Sequence, residues 1–198
     1  MPGAKKYDLT VPDLVLLSLL AEQPMHGYQA NLELERRQVR DWAGISRPQV
    51  YYSLDKLARL GLLRHGKDSG PAAGPDRSVL AATAKGRTRL ADALEREDWT
   101  TRRDRPAFLT WLALSWQARP GIVQKQIQLR RKFVASELKR EEDTLKEVLR
   151  EVGHQHHEAV WMLGLVIEHF KSELVWLDRV ERELSLRAPA RNPAVSGE

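Results

Sequence analysis

Apolar residues recur at helical spacing through most of this chain. In 10–22 the stripe is Leu14, Leu17, Leu20 and Ala21, widened by Val15, Leu16 and Leu19. That pattern predicts a first helix, with Thr10 as its cap and Pro12 in its first turn. A second helix is expected over 28–37, with Tyr28, Leu32 and Glu35 on one face, and the stretch DWAGIS as a break. Val50, Leu54 and Leu57 line one side of a third helix. Ser46 caps it, Pro48 is tolerated in its first turn, and Gly61 stops it in the left-handed conformation.

After Gly61 the period changes. Two short apolar pieces, 62–64 and 78–82, flank a Gly- and Pro-rich turn and read as the strands of a hairpin, with Val79 and Ala81 alternating against Leu80. Thr83 then caps another helix. The stretch EDWTTRRDRP is a junction. Beyond it, 106–118 reads as a short apolar helix and 122–152 as a long charged one, with Val123, Ile127, Val134, Leu138, Leu145, Leu149 and Val152 as its stripe. A last helix over 157–186 carries a heptad seam of Val160, Leu163, Ile167, Phe170, Leu174 and Leu177. Trp161, Met162, Leu165, Val166, Val175 and Trp176 lie off that seam. A helix apolar on more than one side needs more than one partner; the preceding long helix satisfies only part of it, so a second copy of the chain is expected as well, with the seam as its dimerisation surface. The organisation is therefore 1–98 as a first domain, 99–105 as a junction, 106–187 as a helical dimerisation domain, and 188–198 as a disordered tail.

With 198 residues, 42% of them apolar, the chain has material for a sizeable core. It has no cysteine, so disulfides and thiolate metal sites are excluded. The apolar run 14–21 is too short to cross a bilayer, and the N-terminus lacks the pattern of a signal peptide, so a cytoplasmic protein is expected. The net charge is +5, and its distribution matters more than its size. The segment 47–89 holds nine cations (Arg47, Lys56, Arg59, Arg64, Lys67, Arg77, Lys85, Arg87 and Arg89) against three acids, Asp55, Asp68 and Asp76. Such concentration is the footprint of a polyanion site.

Helix, helix, turn, helix, hairpin, helix is the order of a winged helix-turn-helix, in which the second helix of the pair enters the major groove of DNA. This is a mainly α fold with a small β-hairpin, joined to a C-terminal long-helix dimerisation domain. The groove is about 12 Å wide and admits one helix. The outer face of the third helix suits it. Gln49 is expected to pair with an adenine edge, and Lys56 and Arg59 to reach guanine or phosphate. Tyr51 and Tyr52 offer phenols to phosphate, and Ser46 and Arg47 stand at the helix start. In the wing, Lys67 and Arg77 flank the tip.

At these residues the chain resembles a known family. The stretches LLSLLAEQPMHGYQANLELE, GISRPQVYYSLDKLARLGLL and TAKGRTRL, within 14–94, are similar to the PadR family of transcriptional regulators. The resemblance implies a homodimeric DNA-binding regulator, usually a repressor, released by a small molecule. It also implies that Tyr51 and the start of the third helix touch a palindromic operator. The C-terminal half is similar in plan to the dimerisation region of longer members. The strand SVLAAT departs from the pattern by lacking an aromatic.

Other features carry less. HQHH, 154–157, is expected to be a polar turn rather than a metal site. Phe108, Trp111 and Trp161 are the candidates to line a pocket for a small aromatic or hydrophobic effector. No catalytic arrangement and no cofactor site is visible. The rival reading is a winged-helix module that binds other proteins through its C-terminal helices without touching an operator.

Overall fold

A computed structural model describes residues 8–66 and 79–187. The first helix, α1 (Val11–Glu22), is capped by Thr10 and buries Leu14, Leu16, Leu17, Leu19 and Leu20. These point to several sides, and a helix apolar all round belongs in the middle of a domain. It packs against α4 (Arg47–Arg59), α5 (Ala84–Leu94) and the second strand of a two-stranded sheet. Around it the core adds Leu34 of α2 (Gly27–Arg36), Val39 of α3 (Val39–Ala43), and Val50, Leu54 and Leu57 of α4.

The helix α3 takes in the first half of the break expected at DWAGIS, and Gly44, Ile45 and Ser46 remain outside any helix. It is entered through Gln38 in the left-handed region, φ 51°, and left through Gly44, φ 62°. Two contacts explain it. Val39 is buried, and the Arg40 guanidinium donates to the Ile45 carbonyl and to Asn31 Oδ1, each at 3.0 Å. Tertiary anchoring therefore overrides a sequence that reads as a loop.

The hairpin also differs from expectation. Its strands are β1 (Leu63–His65) and β2 (Leu80–Ala82), antiparallel, pairing Leu63 with Ala82 and His65 with Leu80. Leu62 is left out because its backbone is already engaged. Its N–H donates to the Leu57 carbonyl, closing α4, and its carbonyl accepts from Thr83. The alternation expected in β2 is absent, since Leu80, Ala81 and Ala82 are all buried. Both α1 and α5 pack against β2, and Met25 exchanges two backbone hydrogen bonds with Leu80, at 3.0 and 2.9 Å, on the free edge of that strand. Lys67, Arg77 and Ser78 of the expected wing, and the tail 188–198, lie outside the described residues.

A short α6 (Asp98–Thr101) follows α5, and the chain divides after Arg103. In the second unit, α7 (Ala107–Leu114) precedes α8 (Ile122–Val152) and α9 (Glu158–Glu183). The last two form an antiparallel hairpin. Gly153, φ 78°, ends α8, and His157 Nδ1 accepts from Ala159 N–H to start α9. So HQHH is a helix boundary. Val123, Ile127, Val134 and Leu177 form the core, and Arg130–Glu173 and Arg131–Asp178 ion pairs lace the edge. Among the described residues no helix is long and apolar enough to cross a membrane.

The closest backbone approach is at Gly86, in the first turn of α5. A β-carbon there would fall 2.2 Å from the Leu62 carbonyl oxygen and 3.1 Å from a Leu17 methyl. Gly86→Ala should therefore destabilise the first unit by about 1–3 kcal/mol, despite alanine's better helix propensity. Thermal denaturation followed by circular dichroism measures it; an unchanged or raised midpoint would refute this account of the packing.

Candidate nucleic-acid interface

The recognition element is built from its ends inward. Ser46 caps α4 through a reciprocal box: Gln49 Oε1 accepts from Ser46 N–H at 2.8 Å and from Ser46 Oγ at 2.9 Å. At the other end Gly61, φ 68°, turns the chain away. There the Lys85 ammonium donates to the Leu60 carbonyl at 2.8 Å. Between these ends one face is buried and the other carries Ser46, Arg47, Gln49, Tyr51, Tyr52 and Arg59, all exposed. The two phenols stand 55% and 65% exposed, too open for core residues.

Gln49 is not free to pair bidentately with adenine, as the sequence suggested. Its carbonyl oxygen accepts from Ser46 N–H and Oγ, which leaves the amide N–H groups as its remaining donors. In this state it offers donors, which suit the N7 and O6 acceptors of guanine or O4 of thymine.

Lys56 is the larger correction. The sequence places it on the groove-facing side; the structure turns it inward, onto Asp13. Lys56 Nζ lies 2.5 Å from Asp13 Oδ2, with the carboxylate fully buried and the lysine side chain 18% exposed. The same oxygen accepts from Thr10 N–H and Thr10 Oγ, each at 2.8 Å. Burial alone would push the Asp13 carboxyl up. The hydrogen bonds from Lys56, Thr10 and the buried Ser53 outweigh it and hold the group below the usual aspartate range.

The two arginines of the face also have carboxylate partners. Arg47 Nη2 meets Glu35 Oε1 of α2 at 2.7 Å, and Arg59 Nη2 meets Asp55 Oδ2 at 2.8 Å. The hydrogen bond from Arg47 lowers the Glu35 pKa. Every cation of α4 thus stands beside an acid. Asp13 and Glu35 lie outside 47–89, so a count along the chain misses them. Arg64 and Arg87 are exposed on β1 and α5.

In the second unit the structure redistributes the expected roles. Leu163, Ile167 and Leu177 are buried within the single chain, and Val160, Phe170 and Leu174 are half-buried. The buried members of the heptad seam are thus enclosed within their own chain, while Val160, Phe170 and Leu174 keep part of their surface open. What α9 leaves open is Trp161, Leu165 and Val175, which fall on one face and are 59%, 59% and 71% exposed. Phe108 and Trp111 do come together, stacked at 5.5 Å. They line an open groove of about 350 Å³ with Gln126, Leu129, Arg130 and Phe133. The Arg130 guanidinium lies over the rings of Phe108 and Phe133, at 5.0 and 5.3 Å. Trp161 is not part of that groove.

Residues 16–92 match the model of the transcriptional regulator PadR-like family. A search of curated proteins gives no match. Among solved structures, Bacillus subtilis PadR in complex with operator DNA superposes with a TM-score of 0.73 at 14% identity, covering 89% of this chain and 99% of that one. The Vibrio cholerae virulence activator AphA gives 0.70 at 19% identity, covering 90% and 100%. Bacillus subtilis PadR in complex with p-coumaric acid gives 0.60 at 15% identity, covering 88% and 99%. At these identities the likeness establishes the fold.

The inward lysine makes two measurable claims. Lys56→Met should cost about 3 kcal/mol in denaturant unfolding, the low end for a broken buried pair, because the lysine keeps some contact with water. Asp13, with its folded pKa lowered, contributes stability that is fully present above the ordinary aspartate value of about 3.9 and is lost as the pH falls through the folded value. Asp13→Asn should flatten that part of the stability–pH curve. An acid limb identical in the two proteins would show that this carboxylate carries no linkage.

Proposed function

We propose that the chain is a PadR-like transcriptional regulator, on the match of residues 16–92 to that family's model, and that it acts as a homodimeric repressor that binds a palindromic operator and is released by a small-molecule effector. The family is one of regulators, not enzymes. The observation that carries the reading is the solvent-facing side of α4, where Ser46, Arg47, Gln49, Tyr51 and Tyr52 present donors from the first two turns of a helix whose other side is core. A helix so placed enters a major groove start first, with side chains to base edges and phosphates. Arg64 and Arg87 supply further charge for phosphate. Lys56 contributes by fixing the helix rather than by touching DNA. The substrate, DNA, puts its place of work in the cytoplasm.

A second copy of the chain covers Trp161, Leu165 and Val175. Large apolar side chains at this exposure, arrayed along one helix face, mark an interaction surface. Two α4 helices held by such a pairing read half-sites about one helical turn apart. The aromatic groove around Phe108, Trp111 and Arg130 suits a flat, small effector. Its ring stacks on the aromatics, and Arg130 and Gln126 meet its polar groups. Such a ligand weakens operator binding only by favouring one dimer geometry over another.

Selection of bound duplexes from a random pool should return a symmetric consensus. Affinity for it, followed by fluorescence anisotropy, should fall steeply as salt rises, because phosphate contacts release counterions. An asymmetric or absent consensus, or a flat salt response, would refute the operator reading. Trp161→Glu with Leu165→Glu should yield a folded monomer in sedimentation, whereas Leu163→Ala should cost about 2–5 kcal/mol of stability as an ordinary core truncation. A double variant that stays dimeric would place the interface elsewhere.

A further inference from the structure

The three acids beside the α4 cations are not equivalent. Asp13 is buried and belongs to the core. Asp55 is one turn from Arg59 on the same helix, in open solvent. Glu35 comes from a different helix, α2, and stands at the start of α4, where the operator reading puts the DNA. Its position is fixed from behind. Arg40 Nη2 lies 3.8 Å from Glu35 Oε1, and Arg40 itself is anchored on the Ile45 carbonyl and Asn31. From the front, the same carboxylate oxygen takes Arg47 Nη2 at 2.7 Å, although the Arg47 side chain is 72% exposed.

We propose that Glu35 is a specificity-determining residue of the DNA site, acting both as the holder of Arg47 and as a negative charge set against indiscriminate phosphate binding. The proposal rests on the operator reading above. Two physical terms carry it. Non-specific binding is dominated by cation–phosphate attraction, so one carboxylate on the contact face lowers it for every sequence. Base-edge contacts are short-ranged and depend on where the donor fork points. An arginine already aimed by a carboxylate loses less freedom in making them. Glu35 takes only Nη2 of Arg47, so the remaining N–H donors of the aimed guanidinium stay available to a base edge. Glu35 thus depresses binding to any duplex and favours the sequence that Arg47 fits, and both effects widen the ratio between operator and bulk DNA.

The test compares Glu35→Gln with the full-length wild-type dimer on the selected operator and on a scrambled duplex of equal length, across a salt series. The variant should bind the scrambled duplex about three- to fivefold more tightly and steepen its salt slope by about 0.9, the value for one added phosphate contact. Its operator-to-scrambled ratio should fall. In an Arg47→Ala background, Glu35→Gln should no longer alter operator affinity beyond its effect on scrambled DNA. A ratio and slope equal to wild type would overturn the proposal while leaving the operator reading intact. A wild-type protein that binds both duplexes equally, or neither, would overturn both. A melting temperature shared by variant and wild type separates these results from a general loss of structure.

Discussion

The Asp13 carboxylate is where the first unit is tied together. One of its oxygens closes the start of α1 by accepting from Thr10 and meets the Lys56 ammonium on α4. An unpaired charge at full burial would be prohibitive, so this carboxylate demands its lysine. The demand fixes how α4 rolls on α1. With Lys56 turned inward, Val50, Leu54 and Leu57 are committed to the core, and Arg47, Tyr51 and Tyr52 are committed to solvent. The exposed chemistry of the site is thus the far side of a constraint met in the interior.

The same pairing changes what net charge means here. The basic segment looks like a strongly cationic surface when counted along the chain. In three dimensions the three cations of α4 are each beside an acid, one from α1, one from α2 and one from α4 itself. On the operator reading, a face organised this way would discriminate by geometry, because charge alone has been moderated.

Much of the fold was legible because local signals agreed with packing. Thr10, Ser46 and Thr83 cap the helices they were expected to cap, and Gly61 and Gly153 end theirs. The long helix 122–152 was readable to the residue, since its stripe is continuous and a glycine bounds it at each end. What escaped sequence reading depends on partners distant along the chain. Met25 joins β2 across more than fifty residues, so nothing near Leu80 announces that both its edges are paired. Five residues become α3 because Asn31 and Ile45 hold Arg40. The period of α9 revealed its apolar seam but not how much of it α8, close in sequence, would enclose. For the site, the exposed tyrosines followed from helical phase. Lys56 did not, because phase puts it on the boundary and a buried acid decides its direction.

The contact between Lys85 and the Leu60 carbonyl has one more implication. A helix carries a macrodipole, negative at its C-terminus, and a cation bound there satisfies that pole from within the molecule. The opposite pole of α4 receives no matching acid from its own first turn. The Glu35 carboxylate of α2 stands at that end but is paired with Arg47, so the backbone N–H groups of the first turn keep a positive pole toward solvent. An incoming phosphate there completes an electrostatic pairing that the protein has finished at one terminus and left open at the other.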